Sequence, residues 1–191
     1  MSRFHDDNTC ASDPLPLRLD RGRLARIHPE AWWSRVLGLR RRRIDVIDEH
    51  LSFGDSRAAL VVSAKPLWVS AYTDELDCSI VLQFSERERA QIETEVGRMS
   101  VGRRLVTINT YGRGTEPFSD LWNGPASDHN YANFFPVIAD FCVVDPGPLR
   151  ERIEAIDASE WRRCELCAEE YLSRNGGRLR AGSPFRSFLP V

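Results

Sequence analysis

The amino-acid sequence predicts an α+β fold, with about five strands in a mostly antiparallel or mixed sheet. Several short segments in the middle of the chain alternate apolar and polar residues, as half-buried strands do. Other segments space their apolar residues three and four apart, as helices do. We therefore expect a single domain with an N-terminal helix, one helix inserted among the strands, and two C-terminal helices.

The length of 191 residues suits one domain built around a single core. Residues 1–27 are rich in Asp, Pro and Ser, and they predict an irregular arm in front of a domain that spans 28–191. The first helix is expected to begin at Pro29, because proline suits the first helical position. Its apolar stripe extends to Leu51.

Five segments predict strands, because they are short and contain alternating apolar or β-branched residues. Short connections join the first three, which indicates an antiparallel meander with turns at 65–66 and 74–77. A helix between the third and fourth strands leaves a parallel crossover open. The five predicted strands are Ala58–Ala64, Leu67–Thr73, Cys78–Phe84, Leu105–Tyr111 and Pro136–Val144.

Helix signals follow the third and fifth strands. Ser85 and Glu88 have the spacing of a capping box, so the inserted helix is expected to begin there and to end at Gly97 or Gly102. A further helix is predicted after 145–148. The last helix is predicted over Ala158–Arg174, where Asn-Gly-Gly ends it.

The composition indicates which kinds of partner the protein could bind. Lys65 is the only lysine among 26 Lys and Arg residues, and the net charge is −2. Arginine could serve phosphate recognition, but the interspersed acids argue against nucleic acid and favour the codon usage of a GC-rich bacterium. The chain shows no secretory signal and no apolar stretch long enough for a membrane span, and its five cysteines are too sparse for a disulfide framework. These features predict a cytoplasmic protein.

The segment WRRCELC contains Cys164 and Cys167 with the spacing of a metal knuckle or a redox pair. A structural zinc site would need two more ligands, and only isolated residues such as Cys142 or His129 could supply them. On a helix, both cysteines share one face with Trp161. The sequence therefore argues against zinc and predicts core packing of the two thiols, with Arg162 and Arg163 facing water.

The acidic turn at 74–77 offers three carboxylates, those of Asp74, Glu75 and Asp77. Hard cations such as Mg²⁺ or Mn²⁺ prefer such oxygen ligands. Hairpin tips are also commonly acidic because they are solvated and because aspartate suits turns. Both readings remain open from the sequence.

The segment 112–135 shows neither helical nor strand periodicity, and long irregular loops in compact domains are frequently functional. Aromatic and polar side chains in and beside it could line a binding site or simply cover the core. The candidate ligand- or partner-binding residues are Tyr111, Arg113, Trp122, Asn123, Asp128 and His129.

Three hypotheses for function follow. The first is binding of another macromolecule, a protein rather than nucleic acid, as a regulatory, adaptor or immunity-type protein, because aromatic and arginine side chains are enriched at interfaces. The alternative is a divalent-metal-dependent hydrolase or nuclease that uses the acidic turn with Asp128 and His129. A third is a small-molecule pocket under the 112–135 loop. No Walker A, dinucleotide-binding or nucleophile-elbow motif occurs, and the sequence leaves open whether the protein is an enzyme.

Overall fold

A six-stranded sheet lies at the centre of the described residues, which are 12–29, 39–127 and 129–185 of a computed structural model. The strands are β1 (Asp55–Ala64), β2 (Leu67–Thr73), β3 (Cys78–Phe84), β4 (Arg104–Arg113), β5 (Tyr131–Ile138) and β6 (Arg180–Ala181). Their order across the sheet is β5-β4-β1-β2-β3-β6. All neighbours are antiparallel except the short β6, which lies parallel to β3. The predicted α+β class and the meander are confirmed, and the sheet is mixed.

Five α-helices accompany the sheet in the described part of the chain. They are α1 (Arg21–Ile27), α2 (Leu39–Phe53), α3 (Glu86–Val96), α4 (Gly147–Ala155) and α5 (Ala158–Arg174). The predicted capping box of α3 is present, and Asp157 caps α5 by accepting a hydrogen bond from the Ser159 amide. None of the described helices has the length and apolar character needed to cross a membrane.

Two expectations need correction. The arm is not irregular throughout: α1 forms within it, because Asp20 caps the first turn and Leu24 and Ile27 bury their side chains. The fifth strand is Tyr131–Ile138, five residues upstream of the predicted start. The apolar residues after it enter a 3₁₀ turn over Ala139–Phe141 and become buried there, so their apolar run imitates a strand. Residues 30–38 of the predicted first helix lie outside the described chain.

The two faces of the sheet are covered differently. Helix α5 packs across the outer face of β1, β2 and β3, where Trp161, Cys164 and Cys167 meet Tyr72 and Ala58. Helices α1, α2 and α4 cover the outer face of β4 and β5. The inner face holds the largest apolar cluster, to which nearly every strand contributes.

The two edge strands are brought together by Arg180 of β6. Its guanidinium donates to the Asn133 side chain at 3.0 Å and to the Phe134 carbonyl at 3.4 Å, both on β5 at the other edge. A flat sheet would hold these strands five positions apart, so the contact requires a strongly curled sheet. Arg180 is 1% exposed and therefore lies inside the curl.

Candidate functional site

The acidic turn between β2 and β3 is not an open cluster of carboxylates. Asp77 is 2% exposed, and its carboxylate accepts hydrogen bonds from Arg163 of α5 at 2.6 and 2.8 Å. The Tyr72 hydroxyl and the Ala126 amide donate to it as well, each at 3.1 Å. Burial alone would raise the pKa of Asp77, but these hydrogen bonds and the Arg163 charge outweigh burial and lower it. Asp77 is thus a fixed, ionised anchor between the hairpin and α5.

Asp74 is paired in the same way with a different arginine. Arg57 of β1 lies 2.6 and 2.7 Å from its two carboxylate oxygens. Within residues 12–29, 39–127 and 129–185, no three His, Cys, Asp or Glu side chains are placed to hold a metal ion. Because Asp74 and Asp77 are each directed at an arginine, the geometry does not support the Mg²⁺ or Mn²⁺ site proposed for them with Glu75.

The loop between β4 and β5 is fastened to this turn. The Gly124 amide donates to the Leu76 carbonyl at 2.8 Å, and a Cβ on Gly124 would lie 2.2 Å from the Asp77 carbonyl oxygen. The Ser127 hydroxyl lies 3.0 Å from the Glu75 carbonyl oxygen. Only glycine permits so close an approach, so Gly124 sets the position of the loop.

A second anchor fixes the earlier part of the loop. Asp120 accepts two hydrogen bonds from the buried Arg180, at 2.6 and 2.7 Å, and one from the Tyr171 hydroxyl at 3.2 Å. The Asn175 side chain donates to the Asp120 carbonyl at 3.1 Å. Burial alone would raise the pKa of Asp120, but the hydrogen bonds and charge of Arg180 outweigh it and lower that pKa. The loop is therefore held at two points, by hydrogen bonds to the acidic turn and by the buried ion pair of Asp120 with Arg180.

Two aromatic side chains of the loop lie on either side of the Asp120 anchor. Trp122 is half-buried, lies against Tyr171 with ring centroids 6.4 Å apart, and has the Arg174 guanidinium 4.6 Å above its ring. Phe118 is 37% exposed and lies one turn earlier in the loop. We call Phe118, Trp122 and Arg174 the aromatic loop surface.

The remaining predicted site residues are distributed around the loop. Arg113 is exposed at the end of β4, and Asn123 is half-buried beside Ser127. His129 is exposed with a positive φ of 61°, and its amide donates to the Ser127 hydroxyl, so its backbone lies near the acidic turn. Asp128 lies outside the described residues.

Tyr111 belongs to the interior and not to the loop surface, contrary to the sequence-based expectation. It is 1% exposed, its hydroxyl accepts from Thr73 at 3.0 Å, and it lies 3.4 Å from Asp55. Burial, followed by the neighbouring Asp55 charge, raises its pKa well above the usual value. Tyr111 therefore supports a buried polar cluster around Arg57.

Arg57 lies at the centre of a partly buried cluster of charged side chains. Arg57 is 4% exposed and contacts the carboxylates of Asp13, Asp55 and Asp74, at 2.6, 2.9 and 2.6 Å. Burial raises the pKa of Asp55, and the Arg57 charge opposes that rise. Glu160 on α5 approaches from the outer face, where its carboxylate accepts from the Ala58 amide at 2.7 Å.

The cysteine pair packs as predicted. Cys164 and Cys167 are both free thiols, completely buried under α5, and their sulfur atoms lie 3.7 Å from the Ala58 and Asp77 carbonyl oxygens respectively. Arg162 faces water as expected, but Arg163 turns inward to Asp77. The expectation for Arg163 was wrong because its guanidinium forms an ion pair with the buried carboxylate of Asp77.

Several residues that define these clusters were missed from the sequence. Arg57 and Asp120 directly precede apolar residues, but Arg152 stands in the charged run Arg150-Glu151-Arg152, so no common local signal marks these residues. The missed residues are Asp13, Asp55, Arg57, Asp120, Arg152, Glu160 and Arg180.

Comparison of the chain with protein-family models, curated proteins and solved structures finds no significant match.

Proposed function

We propose that the protein acts by binding a partner protein through the aromatic loop surface. The observation that carries this proposal is the combination of a firmly anchored irregular loop with aromatic groups at its surface. Asp120 and Gly124 hold the loop, while Phe118 is exposed and Trp122 is half-buried with Arg174 over its ring. A rigid loop loses little conformational entropy on binding, and aromatic and arginine side chains dominate binding energies at protein interfaces.

A protein partner is favoured over nucleic acid because the charge balance is slightly acidic, at −2. The four described cysteines are all free and buried, which suits a reducing compartment such as a bacterial cytosol. A regulatory, adaptor or immunity-type role fits a surface that binds without catalytic groups. The divalent-metal hydrolase receives no comparable support, because its proposed ligands Asp74 and Asp77 contact arginines.

Affinity capture with matched variants tests the proposal. Wild-type protein, Phe118→Ala and Arg174→Glu are used as baits in nuclease-treated lysate of the native host, with Val101→Ala as control. Val101 is 67% exposed at the opposite end of β4 from the loop. We expect one protein that wild type and the control capture equally, and that both loop variants capture about tenfold less, as loss of an interface hot spot predicts. Equal capture by all four baits would refute the proposal.

A further inference from the structure

Strands β1 and β2 separate at one end of the sheet. Their pairing runs from Ala64 and Leu67 to Ala59 and Ala71, and it stops there although both strands continue. The start of β1 remains paired with β4 as far as Asp55. The end of β2 remains paired with β3. We call the opening between the two strands the β1–β2 fork.

The N-terminal segment fills the β1–β2 fork in the manner of a short strand. The Ser56 amide and hydroxyl donate to the Asp13 carbonyl oxygen, at 3.1 and 2.7 Å. Pro14 forms an antiparallel bridge with Asp55. Proline offers no N–H, so this pairing cannot extend far along β1. The segment contributes few backbone hydrogen bonds at this position.

The side chains of the segment contact arginines. The Asp13 carboxylate lies 2.6 Å from Nη1 of Arg57 and 3.2 Å from Nη2 of Arg152, and the Ser12 hydroxyl also accepts from Arg57. Arg152 of α4 additionally donates to the Ser56 carbonyl at 2.8 Å, while its buried Nε has no hydrogen-bond partner in the described part of the chain. Two arginines thus converge on one carboxylate at the part of β1 that does not pair with β2.

Exposure distinguishes the fixed part of the fork from the replaceable part. The Arg57 side chain is 4% exposed, whereas that of Asp13 is 47% exposed. Loss of a carboxylate partner leaves a buried guanidinium incompletely paired, which costs stability. Asp13 is therefore expected to leave the fork when another acid takes its place. Further along, Leu17 is bound to the Leu51 carbonyl at 2.9 Å, and Leu19 bridges to Val143. Residues 12–14 can therefore open while the rest of the segment stays in place.

We propose that residues 12–14 are an internal ligand, and that the β1–β2 fork accepts in their place an extended acidic peptide segment of a partner protein. The incoming main chain would bind Ser56 as an added strand does, and its carboxylate would bind Arg57 and Arg152. This site is separate from the aromatic loop surface and stands whether or not that surface binds a partner.

Fluorescence anisotropy with the full-length protein tests the proposal. The probe is a labelled peptide with the sequence of residues 11–17, ASDPLPL, and the control peptide carries Asn in place of Asp. In wild type the tethered segment competes at a high effective concentration. We expect Asp13→Ala to bind the probe at least about tenfold more tightly than wild type, and the control peptide to bind about tenfold more weakly. Adding Arg152→Gln to Asp13→Ala should reduce the difference between the two peptides, because one of the two arginines that bind the carboxylate is then lost.

Equal binding of the two peptides to Asp13→Ala, or no binding, would overturn the proposal. If that variant does not fold, amide hydrogen exchange of the wild type decides. The Ser56 amide should exchange at least about tenfold faster than the Leu17 amide, because the segment opens locally. Equal protection of Ser56 and Leu17 would show that the segment opens only on global unfolding, and would equally overturn the proposal.

Discussion

Replacing Asp120 by alanine is expected to cause a large loss of stability, because it leaves the Arg180 guanidinium buried without its acid. Among the described residues, Arg180 would keep the Asn133 side chain and the Phe134 carbonyl as acceptors. Removing one partner of a buried ion pair costs about 3–5 kcal/mol. The Asp120 side chain is 15% exposed, so water can reach the vacated position. We therefore expect the lower end, about 3 kcal/mol.

Urea unfolding measures this loss directly. With a denaturant slope of about 2 kcal/mol/M, a loss of 3 kcal/mol moves the midpoint down by about 1.5 M. Glu116→Ala is the matched control, since Glu116 is an exposed acid in the same loop. Its free energy of unfolding should stay within about 0.5 kcal/mol of wild type. The double variant Asp120→Ala/Arg180→Met should lose less than Asp120→Ala alone, because it removes the unpaired charge.

The pH dependence gives a second signature of the same pair. The folded pKa of Asp120 is lowered, so its contribution is fully present above the ordinary aspartate pKa of about 3.9 and is lost as the pH falls through the folded pKa. The difference between wild type and Asp120→Ala should therefore shrink below about pH 4. A loss under about 1 kcal/mol at pH 7, or a loss equal to that of the control, would refute the reasoning.

Three further predictions concern other parts of the fold. Gly124→Ala should lower stability by about 1–3 kcal/mol in urea unfolding, because its Cβ would overlap the Asp77 carbonyl, whereas Gly112→Ala meets only ordinary contacts and should change it by less than about 1 kcal/mol. Burial would raise the pKa of Glu88, but hydrogen bonds from His28 and its capping partner lower it to about 2. The stabilisation by ionised Glu88 is thus present above about pH 4.5 and lost towards pH 2. In Glu88→Gln, the free energy of unfolding should fall by about 1–2 kcal/mol less between these pH values than in wild type. The same fall in both proteins would contradict this prediction. Burial raises the pKa of four thiols, those of Cys78, Cys142, Cys164 and Cys167. Iodoacetamide at pH 8 should therefore label them at least about tenfold more slowly in the folded protein than in urea, as measured by peptide mass spectrometry. Fast labelling of the folded protein would contradict their packing.

The elements that could be predicted from sequence are those with a local signal. The S-E-R-E pattern at Ser85 located the start of α3, and the spacing of Trp161, Cys164 and Cys167 placed both thiols in the core. Alternation located β2 and β3, a short apolar run located β1, and a run of β-branched residues located β4. Capping and periodicity act within a few residues, so they are readable without knowledge of the rest of the chain.

The fifth strand shows where this local signal fails. The predicted Pro136–Val144 strand is apolar at every position except Asp140, yet the residues after Ile138 form a 3₁₀ turn and a bridge to the N-terminal segment. Any buried segment selects apolar residues, whether or not it pairs in the sheet. Tyr131–Phe135 was assigned to the loop because aromatic and asparagine residues carry no clear alternation there.

The candidate sites depended on contacts between residues far apart in the chain. Sequence reasoning selected the loop as a candidate binding site, and it read Asp74 and Asp77 as potential metal ligands. Whether a carboxylate is free is determined by what packs against it, and here the partners are Arg57 and Arg163. Those pairings span 17 and 86 residues, beyond the reach of any local pattern.

The sequence by itself determined the fold class, most of the helices and strands, and the packing role of the cysteine pair, since these follow from local propensity and periodicity. Only the tertiary structure decided which charges are used. The curl of the sheet brings Arg180 to Asp120, and the separation of β1 from β2 makes room for Asp13. Charge pairing in the interior depends on three-dimensional proximity and desolvation, and neither quantity is written in the order of residues along the chain.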